Sequence, residues 1–287
     1  MNPSPFFKTF FISVIIPAYN QGKFIAEAIE SVWHQDYPQG QIEIIVIDDG
    51  STDDTRNVVE KCHLSGIGCN LKYIYQANQG KAMAMKAGIE AAQGKYIFNL
   101  DADDVFLPGK IRKTIEIFEN DREVAYVSHP VIYWDAQKNT KTLEKFPRFL
   151  RGKVHGKELL RYFYGINKFY GCGSSFAGRA EALKQIPINR KDIGYSIDAY
   201  LVLFCANAGW AYFMDEPLSL YRVHDGAYSA KERVKRAKID MEANKAISEE
   251  IFKDGSFDNK IKILQLLKFK SSELKFKIRQ IREWLSP

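Results

Sequence analysis

Asp101, Asp103 and Asp104 place three carboxylates within four positions, directly after the apolar run Tyr96–Leu100. Like charges this close repel, and an apolar lead-in desolvates them, so the arrangement is costly unless something positive joins it. A second acidic group, Asp48-Asp49-Gly50-Ser51, ends another apolar run, Ile42–Ile47. Clustered carboxylates suit Mg2+ or Mn2+, which take oxygen ligands and accept one or two protein carboxylates beside phosphate oxygens. Asp103 and Asp104 can instead cap a following helix, and for Asp104 that reading stays open. Tyr19 follows a third apolar run and offers an aromatic face to a nucleobase. Asp49 can accept a hydrogen bond from a base imide N–H, and Gly50 allows close approach of backbone to ligand.

The elements that position these residues are legible in the first half. Phe11–Pro17 and Ile42–Ile47 are continuous apolar, β-branched runs, the pattern of strands covered on both faces. Leu71–Tyr75 and Tyr96–Leu100 read as further strands. Phe24–Trp33 and Gly80–Ala92 carry helical spacing, and Ser51–Asp54 fits a capping box opening a helix toward Cys62. Strands separated by helices imply βαβ units and a parallel sheet, whose ligands bind beyond the carboxyl ends of the strands. Tyr19, Asp49 and Asp101–Asp104 all fall there.

The second half is less regular. Ile111–Phe118 reads as a helix, Val124–Trp134 as one strand and Thr140–Lys153 as a basic loop. Tyr195–Ala208 reads as a helix, and Trp210–Arg222 contains a strand. Beyond Gly226 the sequence becomes long, charged and helical, broken near Asp254-Gly255-Ser256. The net charge of +6 lies wholly there: residues 231–287 hold 15 Lys/Arg against 9 Asp/Glu, and residues 1–230 hold 26 of each. A neutral body argues against nucleic acid as a partner. Cys62, Cys69, Cys172 and Cys205 have no metal-like spacing and read as reduced thiols. The apolar N-terminal stretch lacks a basic leader and a cleavage site, so a cytoplasmic protein is expected.

Taken together, VIIPAYN, IDDGSTDDT, Asn78-Gln79-Gly80-Lys81 and AGIEAAQGKYIFNLDADD resemble family 2 of the glycosyltransferases, closely over residues 11–110 and more loosely to 226. The resemblance implies an α/β fold of GT-A type: a mostly parallel, Rossmann-like central sheet flanked by helices, followed by a C-terminal helical extension. It implies inverting transfer from a nucleotide-diphospho-sugar to a saccharide or lipid-linked acceptor, assisted by Mn2+ or Mg2+, in bacterial polysaccharide or glycoconjugate synthesis. Carried over by position, Tyr19 and Asp49 hold the base, Asp101 the ribose and Asp103 the metal. Pro17, Asn20, Gly50, Asn78, Gly80, Lys81 and Ala102 complete the donor-binding motifs. Gly171–Ser175 resembles the small-residue segment where donor and acceptor meet. Asp198 matches the second acid of the family's Glu-Asp pair, the general base, although Ile197 replaces the first. Tyr221-Arg222-Val223-His224 resembles the segment near the donor diphosphate, with Arg222 offsetting phosphate charge and His224 a metal ligand or a hydrogen-bond donor to the diphosphate.

Residues 1–110 would then form the nucleotide-sugar half, 111–226 the acceptor-binding and catalytic half, and 227–287 a basic helical extension. The extension carries Ile263, Leu267, Leu274, Ile278, Ile281 and Leu285 at near-helical spacing, with Trp284 at the end. Such a helix either lies on the inner face of a membrane or packs on protein, its own domain or a second subunit. The chain lacks the QxxRW motif of processive synthases. Two other functions remain open. A nucleotidyltransferase shares sheet-edge carboxylates, but PAYNQGKF is a poor phosphate loop. A catalytically silent sugar-nucleotide-binding subunit is favoured only by Ile197.

Overall fold

Every residue of Ile12–Ala18 is buried, and so is every residue of Ile42–Asp49. These are β1 and β2, central strands with helices on both faces. Side chains alternate across the sheet. Ile15 therefore enters one core with Ile45, Met85 and Ile97, while Val14 and Ile16 enter the other with Ile25, Ile29 and Phe98. Pro17 has no N–H for a ladder, and it lies beyond the point where β1 stops pairing with β4, at Ile15.

The computed structural model describes residues 11–65, 70–145, 147–166, 172–225 and 233–284, the side chains of 165, 166, 233 and 281–284 excepted. Cys69, Gly171, Gly226 and Leu285, with the side chains of Ile281 and Trp284, lie outside the described residues. In chain order the elements are β1, α1 (Ile25–Trp33), β2, α2 (Thr55–Leu64), β3 (Leu71–Gln76), α3 (Lys81–Ala91), β4 (Tyr96–Asn99), β5 (Val105–Phe106), α4 (Lys110–Asn120), β6 (Val124–Ser128) and β7 (Ile132–Asp135). They continue with β8 (Thr140–Leu143), β9 (Gly152–His155), α5 (Gly156–Ile166), β10 (Ala177–Arg179), α6 (Ala180–Leu183), α7 (Ile197–Ala208), β11 (Trp210–Phe213), β12 (Ser219–Val223), α8 (Arg233–Lys253) and α9 (Asn259–Trp284).

The main sheet has eight strands in the order β3-β2-β1-β4-β10-β6-β11-β9. β3, β2, β1 and β4 are mutually parallel, as are β6 and β11, while β10 and β9 run antiparallel to their neighbours. A second sheet, β5-β12-β7-β8, had no counterpart in the sequence reading. The single strand expected over Val124–Trp134 breaks at His129-Pro130, and its halves enter different sheets. The expected loop over 140–153 contains β8 and the start of β9. The capping box at Ser51–Asp54 does not form: Asp54 makes no side-chain cap, and Asp53 Oδ1 instead accepts from Thr55 N at 3.0 Å.

Candidate active site

Two loops at the carboxyl edge of the sheet are stapled together first. Asn20, at φ 54°, accepts from Thr52 N at 2.8 Å, and its own N–H donates to Ser51 Oγ at 2.9 Å. Gly22 N donates to Asp53 Oδ2 at 3.0 Å. Tyr19 is left 48% exposed at the rim, its ring accessible to a ligand. Gly50 takes φ 79°, and a Cβ there would stand 2.8 Å from Asn78 N. The loop after β3 is thus drawn against the loop after β2.

Asp49 is buried, and its carboxylate shapes that same loop. It accepts from Gln76 Nε2 at 2.7 Å, Gln79 N at 2.9 Å and Gly80 N at 2.7 Å. A carboxylate has about four lone-pair sites, so about one remains for a base. Lys81 follows at once as the first residue of α3. Its ammonium lies 2.8 Å from Asp101 Oδ1 and 3.6 Å from Asp198 Oδ1. Burial works against that charge, but the two carboxylates outweigh it and hold the Lys81 pKa well above the ordinary lysine value.

The acids after β4 divide by partner. Asp101 faces Lys81, and its N–H donates to Ser174 Oγ at 3.0 Å. Ala102 is buried in the turn. Asp103 Oδ2 lies 2.9 Å from His224 Nε2, and the Asp103 carbonyl accepts from Arg222 Nε at 2.8 Å. Asp104 caps no helix, since β5 follows it. Its buried carboxylate accepts from Ser174 Oγ at 2.5 Å and Arg222 N at 2.9 Å, joining the turn at 173–175 to β12. Burial first, then Asp103 and Asp101, push the Asp104 pKa well above the usual carboxylate range.

Asp198 stands in the first turn of α7, opposite Asp101. Burial, reinforced by Asp101, raises its pKa to about 6, against the lowering effect of Lys81 and the Gly173 N–H. Gly173 is required where it stands. A Cβ there would lie 2.9 Å from Asp101 Oδ1 and 3.0 Å from Asp198 Oδ1, and would collide with Asn99. Ile197 is fully buried in the core, which explains why no acid occupies that position.

Arg222 is 7% exposed and lies between the rings of Phe24 and Trp134, its guanidinium carbon 5.1 and 4.3 Å from their centroids. It also pairs with Glu27. Its contacts therefore hold Asp103 from behind. The His224 ring packs on Phe24 at 4.7 Å. Among the described residues no three His, Cys, Asp or Glu side chains converge as a protein-only metal site. Asp103 and His224 converge as a pair, a set that fits a divalent cation whose remaining ligands come from diphosphate and water.

Lys110 and His129 did not emerge from the sequence. Lys110 is fully buried as the first residue of α4, where the helix dipole disfavours a cation. Its Nζ meets His129 Nε2 at 2.8 Å, Ser219 Oγ at 3.2 Å and the Ser174 carbonyl. Burial lowers its pKa to about 7 and that of His129 well below the ordinary value. The signal was present: Lys110 continues the buried face of α4 formed by Ile111, Thr114, Ile115 and Phe118.

Comparison with known proteins follows the same lines. An uncharacterized glycosyltransferase, alr2836, of Nostoc sp. is 32% identical over 216 residues, 74% of this chain and 65% of its own length. A putative teichuronic acid biosynthesis glycosyltransferase, TuaG, of Bacillus subtilis is 29% identical over 76% of this chain and 81% of its own. The chain spans only 17% of the length of two uncharacterized glycosyltransferases from Rickettsia felis and Rickettsia conorii. S. aureus TarS 1–349, solved with UDP-GlcNAc, superposes with a TM-score of 0.67 at 19% identity, covering 93% of this chain and 73% of the 1–349 chain. The mannosyltransferase PcManGT of Pyrobaculum calidifontis, solved with GDP-Man and Mn2+, gives 0.65 at 19% identity, covering 93% and 71%. These likenesses confirm the GT-A fold, with its central sheet flanked by helices and its helical C-terminal region. The model of Glycosyl transferase family 2 matches residues 13–187, and the chain belongs to that family.

Proposed function

We propose that the protein transfers a single sugar from a nucleotide-diphospho-sugar to an acceptor hydroxyl, with inversion, in the synthesis of a polysaccharide or glycoconjugate. The observation that carries this reading is the convergence of Asp101, Lys81, Gly173 and Asp198 at one sheet edge beside the Asp103–His224 pair. UDP-GlcNAc in TarS, GDP-Man and Mn2+ in PcManGT, and the teichuronic acid name of TuaG support the substrate class.

In this mechanism Tyr19 stacks on the base and Asp49 accepts its N–H, while Asp101 takes the ribose hydroxyls. Pro17, Asn20, Gly50, Asn78, Gly80 and Ala102 shape the donor's bed. Asp103 and His224 are the residues that would hold Mn2+ or Mg2+, and such an ion supplies charge neutralisation to the departing diphosphate. Arg222 keeps Asp103 in place and adds positive field behind it. Asp198 removes the acceptor proton as the new C–O bond forms and the anomeric C–O bond to phosphate breaks. The electron pair leaves with the diphosphate, and attack from the opposite face inverts the centre.

The test is a thermal-shift panel of nucleotide sugars with and without Mn2+, followed by transfer assays and assignment of the product anomer by NMR. A stabilising donor, an inverted product, and a Mn2+ dependence of donor affinity that Asp103→Ala abolishes are expected. Donor binding without transfer to any acceptor would instead favour a binding subunit, and a retained anomer would exclude direct displacement.

A further inference from the structure

A helix on a protein surface ordinarily turns a polar face outward. The outward face of α9 is different: Ile263, Leu266, Leu267, Leu274 and Ile278 are 56%, 40%, 59%, 59% and 41% exposed. At 3.6 residues per turn these five fall within an arc of about 120°. The opposite arc packs inward, where Ile261 and Gln265 are buried and Gln265 Nε2 donates to Asn244 O at 3.2 Å. The helix thus has two apolar faces, of which α8 and the body cover one. Lys260, Lys270 and Lys277 fall on the outward arc, and Lys270 and Lys277 are each 62% exposed. Glu273 is the single acid between residues 260 and 280, and it pairs with both, at 3.3 and 3.2 Å.

We infer that this face of α9 docks on an anionic lipid surface. Charge complementarity selects the occupant. A second copy seated face to face would bring lysines against lysines in the layer it desolvates, whereas anionic headgroups meet them with opposite charge. Lysine stems extend from an apolar layer to the headgroup level while the five aliphatic side chains enter the acyl boundary. The hairpin of α8 and α9 is fixed to the helix bearing Asp198. Phe257 packs on Phe204 of α7 with centroids 5.0 Å apart, and Asn207 Nδ2 donates to Ser256 Oγ at 2.8 Å. Arg190, just before α7, pairs with Glu249 of α8. A docked hairpin therefore holds α7 at a fixed height above the lipid, where an acceptor carried on a lipid would present its hydroxyl; that last step rests on the proposed function.

The experiment is flotation of the full chain with vesicles of phosphatidylcholine alone and of phosphatidylcholine mixed with phosphatidylglycerol, at low and high salt. Flotation with the mixed vesicles only, reversed by salt, is expected. Leu267→Ser/Leu274→Ser and Lys270→Glu/Lys277→Glu should each weaken vesicle affinity about tenfold or more. Their melting temperatures and donor-induced thermal shifts should match the parent's, because the changed side chains are exposed and lie outside the site. No flotation with anionic vesicles would overturn the inference. So would a lipid-free dimer that the Leu267→Ser/Leu274→Ser variant dissolves, since the face would then belong to a second copy. Flotation needs no donor, so this proposal and the glycosyl-transfer reading fail on separate observations.

Discussion

At Asp198 burial and charge pull in opposite directions. Desolvation, with the like charge of Asp101, favours the protonated acid, while Lys81 and the Gly173 N–H favour the anion, and the balance places the pKa at about 6. As the proposed base, Asp198 must be ionised to act, so kcat/KM should fall as pH drops through about 6 and level off above it. Asp198→Asn keeps the shape and removes proton acceptance; kcat should drop about a thousandfold while donor affinity, read by calorimetry, changes little. Lys81→Met removes the cation that stabilises the carboxylate, so the acidic limb of the pH profile should move to higher pH and donor KM should rise. An unmoved limb would separate Lys81 from the base. Asp49 and Asp101–Asp104 were legible in the sequence because their type and their place after a strand both carry meaning, whereas Asp198, in the first turn of α7, was reached only through the family resemblance. The pairing of Lys81 with Asp101 and Asp198 was not, because it joins three elements that only the folded sheet edge brings together.

Among the elements, the first half was readable because β1 and β2 are buried on both faces and therefore uninterrupted in their apolar runs. The second sheet was not readable. β8 is exposed along its whole length and carries no apolar pattern, and the run 124–134 looks continuous until Pro130 is given its weight. The turn at 173–175 shows how these less legible elements matter. It is gripped from below by the first residue of α4 and from the side by β12, and it touches Asp101, Asp104 and Asp198. Lys110→Met replaces a buried amine with an apolar side chain of similar length and leaves His129 Nε2 and the Ser174 carbonyl short of a donor, so stability should fall by about 1–3 kcal/mol. The Ser174 carbonyl loses a donor, and kcat should fall about tenfold or more at near-normal donor KM. Unchanged kcat would show that the turn keeps its geometry without the ammonium.

For the whole molecule, the C-terminal hairpin is packed against α7, the helix that bears Asp198. Phe257 is 3% exposed against Phe204, and Phe257→Ala should cost about 3–5 kcal/mol, measured by denaturant unfolding. Faster hydrogen exchange should appear in α8 and α9 before it appears in β1 or β2. No helix of the described residues is long and apolar enough to cross a membrane. Lys81 has a consequence on this scale too. A site that carries its own counter-ion is a poor chelator: Lys81 offsets one of the two charges of Asp101 and Asp198, which leaves Asp103 and His224 as the proposed holders of a cation. Cation and nucleotide should then bind synergistically, each raising the other's affinity by the same factor, which calorimetry of Mn2+ with and without nucleotide checks. On that proposal the protein should bind little free Mn2+ until its nucleotide is present.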